Sequence, residues 1–496
     1  METSSTARPL DAVVVGAGIS GLTAAFRLVR AGMRVAVLEA SPRPGGALVT
    51  HEAAGFRFEL GPNTVLESDP SLPALIRDCG LDGERLAAAP AARRRWVWHG
   101  GRLRALPSGP LAFLLSPLFP PAAKLRLLRE PFVRVPPAPA RAAGEHENED
   151  DEETIAAFVR RRLGEAFLER AVGPFVSGVY AGDPERLAVR WATPRIAALE
   201  AEHGSLIRGM LARSMARARG GARARGRDRG KGDGEALRST PRGAMVSLRG
   251  GLEELPRRLA REIGDVRCGT VCRAIRHDGR TFVVEHAGGA VHASRVLLAV
   301  PAGAAAALLD EATAGRSRLL AELPYAPVAV VAAGYRRQDV AHPLDGFGFL
   351  RATGGGGAGL RVLGCLFTSS LFPGRAPEGC VTLTAFLGGR TDPEAAAWSD
   401  EQLGAAVQAD LGRALGVRGE PLARVVRRWP RAIPQYERGH GRFVALQAEL
   451  ERDLPGLHLA GNYLHGISVP DCVRNATALA ERIAAGRQAS LPVMGK

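Results

Sequence analysis

At 496 residues the chain is long enough for two or three domains with a large core, and 46% hydrophobic and 24% charged residues place it among ordinary folded proteins. No apolar run reaches the ~18 residues that a membrane-spanning helix needs. The net charge of +15 invites an anionic partner, but eleven Lys or Arg against three acids between Arg208 and Arg242 supply +8 of it, so over half the excess is local.

The N-terminus, METSSTARPLDAVVV, has no signal-peptide pattern. It predicts a cytoplasmic chain, or one peripheral on the inner face of the cytoplasmic membrane. Ala12 to Val15 then forms an apolar run of the length of a buried parallel strand. Gly16, Gly18 and Gly21 follow in the spacing G-x-G-x-x-G, an amphipathic helix is expected from Ser20 to about Arg30, and a second strand, Arg34 to Leu38, ends at Glu39. Each part has a task in holding a dinucleotide: Gly16 allows a tight turn, Gly18 lets the backbone approach a pyrophosphate, and Gly21 lets the helix lie close on the strand. The pyrophosphate would rest on the free N–H groups and positive end of the helix. Glu39 would accept hydrogen bonds from ribose hydroxyls and repel the 2′-phosphate of NADP, so NAD or FAD is favoured. A glycine-rich turn alone would be weak; strand, helix, strand and acid in this order are much stronger.

In SPRPGGALVT the pair Gly45-Gly46 lets a loop pass close to a ligand, and GFRFELGPNTV alternates like a strand before a turn at Gly61 and Pro62. Residues 93–106 predict a hairpin turning at Gly100 and Gly101. LPSGPLAFLLSPLFPPAAKLRLLREPFVRV is too broken by proline to span a bilayer but suits a lid over a channel or a surface dipping into one leaflet. Residues 134–153 read as a solvated linker, helical periodicity resumes from Thr154 to Leu168, and GPFVSGVYAGDPERL reads as a glycine-bearing loop. ARARGGARARGRDRGKGDG is of low complexity and lacks aromatic residues. It predicts a surface insertion, with anionic lipid as the sharper partner and no nucleic acid. SLRGGLEELPRRLAREI leads from a loop into a helix; strands around VRCGTVCRAIRH, TFVVEH and RVLLAVP return to the nucleotide sheet, with Val271 on a strand near the adenine end. Residues 303–440 alternate strands and helices. At the C-terminus a short strand ends at Ala460-Gly461, and a long helix starts near Pro470. The six cysteines form no C-x-x-C pair and argue against both a disulfide framework and a zinc site; Cys268 and Cys272 read as buried free thiols. No metal is expected.

VVVGAGISGL, FELGPN, the arginine before an aromatic in RRWVWHGGRLRALPSG, SGVYAGDP, SLRGGLEELP, AIPQYERGH and LAGNYLHGISVPDCV together resemble the FAD-dependent amine oxidase and phytoene desaturase superfamily. Within it the chain is most similar to the oxygen-dependent protoporphyrinogen oxidases. The resemblance implies an α/β fold: a Rossmann-like FAD-binding domain of the GR2 type, an α+β substrate domain and a helical membrane-associating subdomain. The FAD domain would comprise 10–86, 245–302 and 441–490, the substrate domain 87–105 and 303–440, and the helical lid 106–215, with low-complexity insertions at 134–153 and 216–244. It implies FAD held by Gly16, Ala17, Gly18, Ile19, Ser20, Gly21, Glu39, Ala40, Gly45, Gly46, Ala47, Gly61, Pro62, Asn63, Thr64, Val271, Gly461, Asn462, Ile467, Ser468 and Val469. Arg95 would pair with a substrate propionate. Gly178, the position given a catalytic place, would turn its backbone to the macrocycle, and Leu350, Leu366 and Phe386 would sandwich the rings. Asn63 stands where some relatives carry arginine, and the basic insertion has no counterpart.

The implied activity is oxidation of protoporphyrinogen IX to protoporphyrin IX in three flavin cycles, with molecular oxygen as acceptor and hydrogen peroxide released. The implied partners are the porphyrinogen, oxygen and a membrane surface, with homodimerisation left open. Such chemistry rests on the cofactor and asks the protein for apolar plates and a bidentate arginine more than for a strong base. Coproporphyrinogen, with four propionates, is the nearest rival substrate, and an amine or carotenoid fits the later motifs less well. Flavin-free proteins of this architecture that chaperone lipidated small GTPases are a rival of another class, against which the intact phosphate loop and Glu39 weigh.

Overall fold

The computed structural model describes residues 9–136, 152–215 and 243–490; most of both expected insertions lies outside the described residues. The first strand, Ala12–Val15, is wholly buried and pairs in parallel with Val35–Leu38 on one side and Val296–Leu298 on the other. Val266–Arg267 and Leu457–Leu459 extend the two edges, both parallel. Strands from the beginning, middle and end of the chain thus share one five-stranded sheet. Its three central strands are all apolar and need cover on both faces. One face carries Ile19–Arg30 and the C-terminal helix, Val469–Ser490, in a cluster with Val14, Leu22, Phe26 and Val473. The other packs on the antiparallel strands Cys272–His277, Phe282–His286 and Gly289–Ala293 through Ile275, Phe282 and Val284.

A seven-stranded sheet forms the second layer system. The long strands Tyr325–Arg336, Cys380–Gly388 and Ala423–Pro434 are joined by Gly364–Leu366, Gly348–Arg351 and the hairpin Trp96–His99/Arg102–Ala105. The hairpin turns at Gly100 and Gly101, both at positive φ, as its sequence predicts.

Helices make the third region. Ile155–Arg162 starts at the Thr154 cap, whose hydroxyl accepts from the Ala157 N–H at 3.1 Å. Arg162 is fully buried and pairs with the equally buried Glu130 at 3.2 Å and with Glu200. Glu130 also accepts from the Leu206 and Ile207 N–H groups and the Ser205 hydroxyl, so one carboxylate anchors the start of the 206–215 helix to the Pro121–Leu127 region.

GPFVSGVY, expected to be a loop, is the helix Gly173–Tyr180. Glycine lowers local propensity, but tertiary contact favours it: a Cβ on Gly173 would lie 2.4 Å from the Thr353 hydroxyl oxygen and one on Gly178 2.3 Å from Leu350 Cδ2. Val271 is likewise not on a strand. It is 52% exposed in the turn between Val266–Arg267 and Cys272–His277. That turn leaves the nucleotide sheet for the antiparallel one, which interrupts the ladder. All six cysteines are free thiols, but Cys268 and Cys272, expected to be buried, are only partly so, because they flank the turn where the chain changes sheets.

Candidate active site

The phosphate loop is built from close backbone contacts. Gly16, at φ +101°, donates its N–H to the Leu38 carbonyl at 2.8 Å, and a Cβ on Gly21 would lie 2.0 Å from the Gly16 carbonyl oxygen. Over Gly18 the space is open: a Cβ there would have no atom within 4 Å. The helix that begins at Ile19 and Ser20 has neither a side-chain cap nor an acid in its first turn. Its first N–H groups are left for an anion. Glu39 accepts from the Ala17 N–H at 2.6 Å and from the Ser41 N–H and hydroxyl at 2.8 and 2.7 Å; Ala40 beside it is exposed.

Other segments close on this loop. Gly45 donates to the Ala17 carbonyl at 2.8 Å; a Cβ on Gly46 would be 3.2 Å from Gly18 Cα, and one on Gly61 would be 1.9 Å from the Ala47 carbonyl oxygen. Asn63, buried between Pro62 and Thr64, donates Nδ2 to the Gly61 carbonyl at 2.9 Å, while its buried Oδ1 has no partner among the described residues. An orphaned buried acceptor is what a polar ligand would satisfy. The C-terminal turn enters from Ala460, whose N–H meets the Leu298 carbonyl, and runs through Gly461 and Asn462 to Ile467, Ser468 and Val469. Ser468 caps the last helix, its hydroxyl 2.5 Å from Asp471 Oδ2, and that helix shares a core with the first through Val473 and Leu22. The Val271 turn reaches the same corner, with the Thr270 N–H on the Glu39 carbonyl at 2.8 Å. Open space above Gly18, free helix N–H groups and the orphaned Asn63 oxygen fit a bound dinucleotide.

On the second sheet, cross-strand registry places Val97, Leu350, Gly364 and Phe386 opposite one another across four strands, and Leu366 lies two residues along on the same face. Leu350, Leu366 and Phe386 are half-buried, each in a strand whose neighbouring positions are mostly buried. Gly178 faces Leu350 from the helix above. Farther along, Trp429 donates its indole N–H to the Leu60 carbonyl at 2.7 Å, joining the sheet to the segment that leads into Gly61–Asn63. Arg95, just before the Trp96–His99 strand, is exposed, with its guanidinium 5.8 Å from the Phe347 ring centroid. Arg94 pairs with Asp345; among the described residues no carboxylate lies within ion-pair distance of Arg95. Beneath the nucleotide segment, buried Glu59 faces Arg375 at 3.6 Å; burial pushes its carboxyl up to about 7 against the pull of that arginine.

A Rossmann-type cradle joined to a seven-stranded sheet under a helical cap defines the flavoprotein oxidoreductase class. The model of the flavin-containing amine oxidoreductase family matches residues 19–484, and the chain belongs to that family, as an FAD-dependent oxidase. It is similar to the chloroplastic protoporphyrinogen oxidase of Oryza sativa subsp. japonica, 34% identical over 95% of this chain and 88% of the relative. It is also similar to the coproporphyrinogen III oxidase of Bacillus subtilis (strain 168), 29% identical over 94% of this chain and 96% of the relative. A solved structure from Exiguobacterium sp. 255-15, provisionally named a protoporphyrinogen oxidase, superposes with a TM-score of 0.77 at 27% identity, covering 96% and 98% of the two chains.

Sequence reasoning missed Gly364, Trp429 and the role of AIPQYERGH. Nothing local marks Gly364 or Trp429, because their importance comes from register. AIPQYERGH is visible as a motif but carries no chemistry of its own until the chain folds.

Proposed function

We propose that the protein oxidises protoporphyrinogen IX to protoporphyrin IX in three successive two-electron steps, with molecular oxygen as the final acceptor and hydrogen peroxide as its product. The observation that carries this reading is the apolar face of Leu350, Leu366 and Phe386 under Gly178, with Arg95, an arginine that has no carboxylate partner among the described residues, just before a strand of the same sheet. When bound, FAD supplies the two-electron acceptor for the meso carbon of the substrate.

Every other task falls to side chains and backbone. Gly178 lets its helix lie directly on Leu350, where a larger residue would displace that side chain, and the ring packs against the surface the two form together. Leu366 and Phe386 extend the plate, excluding water from a substrate that needs apolar cover. Arg95 takes a propionate in a planar, charge-assisted pair, which selects the meso carbon turned toward the cofactor. Glu39 and the loop amides take the ribose and pyrophosphate. No general base is required of the protein.

The division into FAD domain (10–86, 245–302, 441–490), substrate domain (87–105, 303–440) and helical lid (106–215) belongs to this proposal, as does peripheral contact with a membrane surface. The latter is supported by Leu111, Leu114, Leu115, Leu125, Leu128 and Phe132, each 61–79% exposed. Met210, Leu211 and Met215 are exposed on the helix anchored through Glu130, with Lys124, Arg126 and Arg129 interleaved. Apolar patches with a basic rim suit an anionic leaflet. Among the described residues no helix is long and apolar enough to cross a membrane.

Coproporphyrinogen III is the second reading, favoured by the names of the bacterial relatives and by Arg104, which pairs in register with Val97 and puts a second cation on the hairpin that Arg95 precedes. Oxidation of each porphyrinogen by the purified protein, with porphyrin fluorescence, oxygen uptake and peroxide followed together, decides between them. Turnover of neither would overturn both readings.

A further inference from the structure

AIPQYERGH, residues 432–440, leaves the Ala423–Pro434 strand and passes between the helix that carries Gly178 and the C-terminal turn. Gln435 is buried and donates Nε2 to the Tyr180 carbonyl at 2.9 Å, two residues beyond Gly178. Tyr436, next in the chain and equally buried, donates its hydroxyl to the Asn462 carbonyl at 2.5 Å and accepts from the Gly466 N–H at 2.8 Å. His440 stacks on the Tyr436 ring with centroids 4.1 Å apart and reaches the Leu464 carbonyl through Nε2 at 3.3 Å. Trp191 packs edge-on against His440, centroids 5.4 Å apart. Residues 462, 464 and 466 of one turn are therefore held by two stacked rings. The turn needs such a hold: Gly461 and Gly466 bracket it at φ +138° and +120°, where glycine supplies freedom and no stiffness.

We propose that Gln435 and Tyr436 are paired positioning residues. Tyr436 fixes the flavin-facing turn 462–466, Gln435 fixes the end of the substrate-facing helix, and their adjacency in one chain sets the spacing between cofactor and substrate. Gln435 reaches Tyr180 while Tyr436 reaches Asn462 and Gly466, so two chain neighbours grip two different elements. A misplacement of about 1 Å between reacting groups costs on the order of 100-fold in rate. The proposal rests on the flavin and substrate assignments made above.

The test separates the two grips. In Tyr436→Phe the ring and its stacking stay while the hydroxyl goes, leaving the Asn462 carbonyl and Gly466 amide unpaired. The expected result is an affinity of the apoprotein for FAD, read by quenching of flavin fluorescence, about 10-fold weaker, with KM for protoporphyrinogen within about twofold of the parent's. Gln435→Ala is expected to do the reverse: unchanged FAD affinity and a KM raised several-fold. Tyr335→Phe removes another buried hydroxyl, one bonded to Gln408 at 2.7 Å on the far part of the substrate sheet, and is expected to change neither. Should Tyr436→Phe not fold, His440→Phe takes its place, since it keeps the stack and releases only the Leu464 carbonyl; FAD binding is then expected to weaken a few-fold. Parental FAD affinity in the folded variant, equal losses in Tyr335→Phe, or the same pattern in both 435 and 436 variants would each overturn the proposal. Parental FAD affinity in Gly18→Val would overturn the flavin site itself and the proposal with it.

Discussion

The proposed phosphate cradle and the proposed substrate plate are built in opposite ways. Around Gly16, Gly18 and Gly21 the ligand-facing surface is backbone, made within one strand–turn–helix unit and fixed by clashes that any Cβ would bring, 2.6 Å at Gly16 and 2.0 Å at Gly21. On the seven-stranded sheet the surface is side chains, Leu350, Leu366 and Phe386, brought to one face by registry across three strands. A backbone-built site fails sharply when its glycine is replaced, whereas a side-chain-built site loses affinity by degrees.

The sharpest break of that contrast is Gly18→Val. Open space over Gly18 means that the apoprotein accommodates the side chain, so the damage falls on the ligand. Losing two charge-assisted hydrogen bonds at ~1.5–3 kcal/mol each weakens FAD binding about 10²- to 10⁴-fold. Flavin absorbance after gel filtration, beside the apoprotein Tm, checks this, and full flavin occupancy would sink the assignment of the loop. Gly21→Val serves as the contrast: its clash with Gly16 is internal, and Tm should fall with it.

Glu39→Ala comes next, at roughly 10- to 150-fold weaker FAD binding. The carboxylate already orders the loop through Ala17 and Ser41, so its loss also frees the strand tip. Glu39→Gln, which keeps acceptor oxygen but no charge, should lie between the two in a fluorescence titration.

On the side-chain-built surface, Arg95→Ala should raise KM for protoporphyrinogen about 10- to 100-fold, equivalent to ~1.4–2.7 kcal/mol, with a smaller fall in kcat. Arg95→Lys belongs in between, since it keeps the charge but loses the planar fork. Equal, near-normal KM values for these variants and for the neighbouring Arg93→Ala would mean that Arg95 does not hold the substrate.

A fourth measurement probes the joint between the two surfaces. Burial lowers His440 from 6.5 to about 4, so the unfolded chain binds a proton that the folded chain refuses between those values. The stability this confers is present above about pH 6.5 and is lost as pH falls toward 4, a difference of about 3 kcal/mol. Thermal melts of His440→Phe between pH 7 and 4.5 should show a shallower fall than the parent's; parallel curves would remove His440 from the joint.

The smallest effect on catalysis is expected at the exposed helical face. Leu111→Ser, Leu114→Ser and Leu115→Ser combined should leave turnover in detergent within about twofold, because surface changes rarely shift stability by more than ~0.5 kcal/mol each. The same variant should sediment less with anionic vesicles, and unchanged sedimentation would remove this face from the membrane contact.

The sequence by itself determined the nucleotide half. Periodicity and glycine spacing are local properties, so Ala12–Val15, the following helix and Glu39 could be read from fewer than thirty residues, and the expected bounds differ from the structure by one residue. It also named Gly178, Leu350, Leu366 and Phe386 by resemblance, though not their mutual placement. Tertiary structure decided what local signals misstate. Gly173–Tyr180 is helical because its glycines let it approach Thr353 and Leu350, a gain that propensity does not count. Val271 lies in a turn because the chain changes sheets there. Tyr436 and Gln435 acquire their partners, Asn462, Gly466 and Tyr180, only when the chain folds across separations of 26, 30 and 255 residues. Contacts at such range depend on the register of whole sheets, and no short window of sequence contains that register.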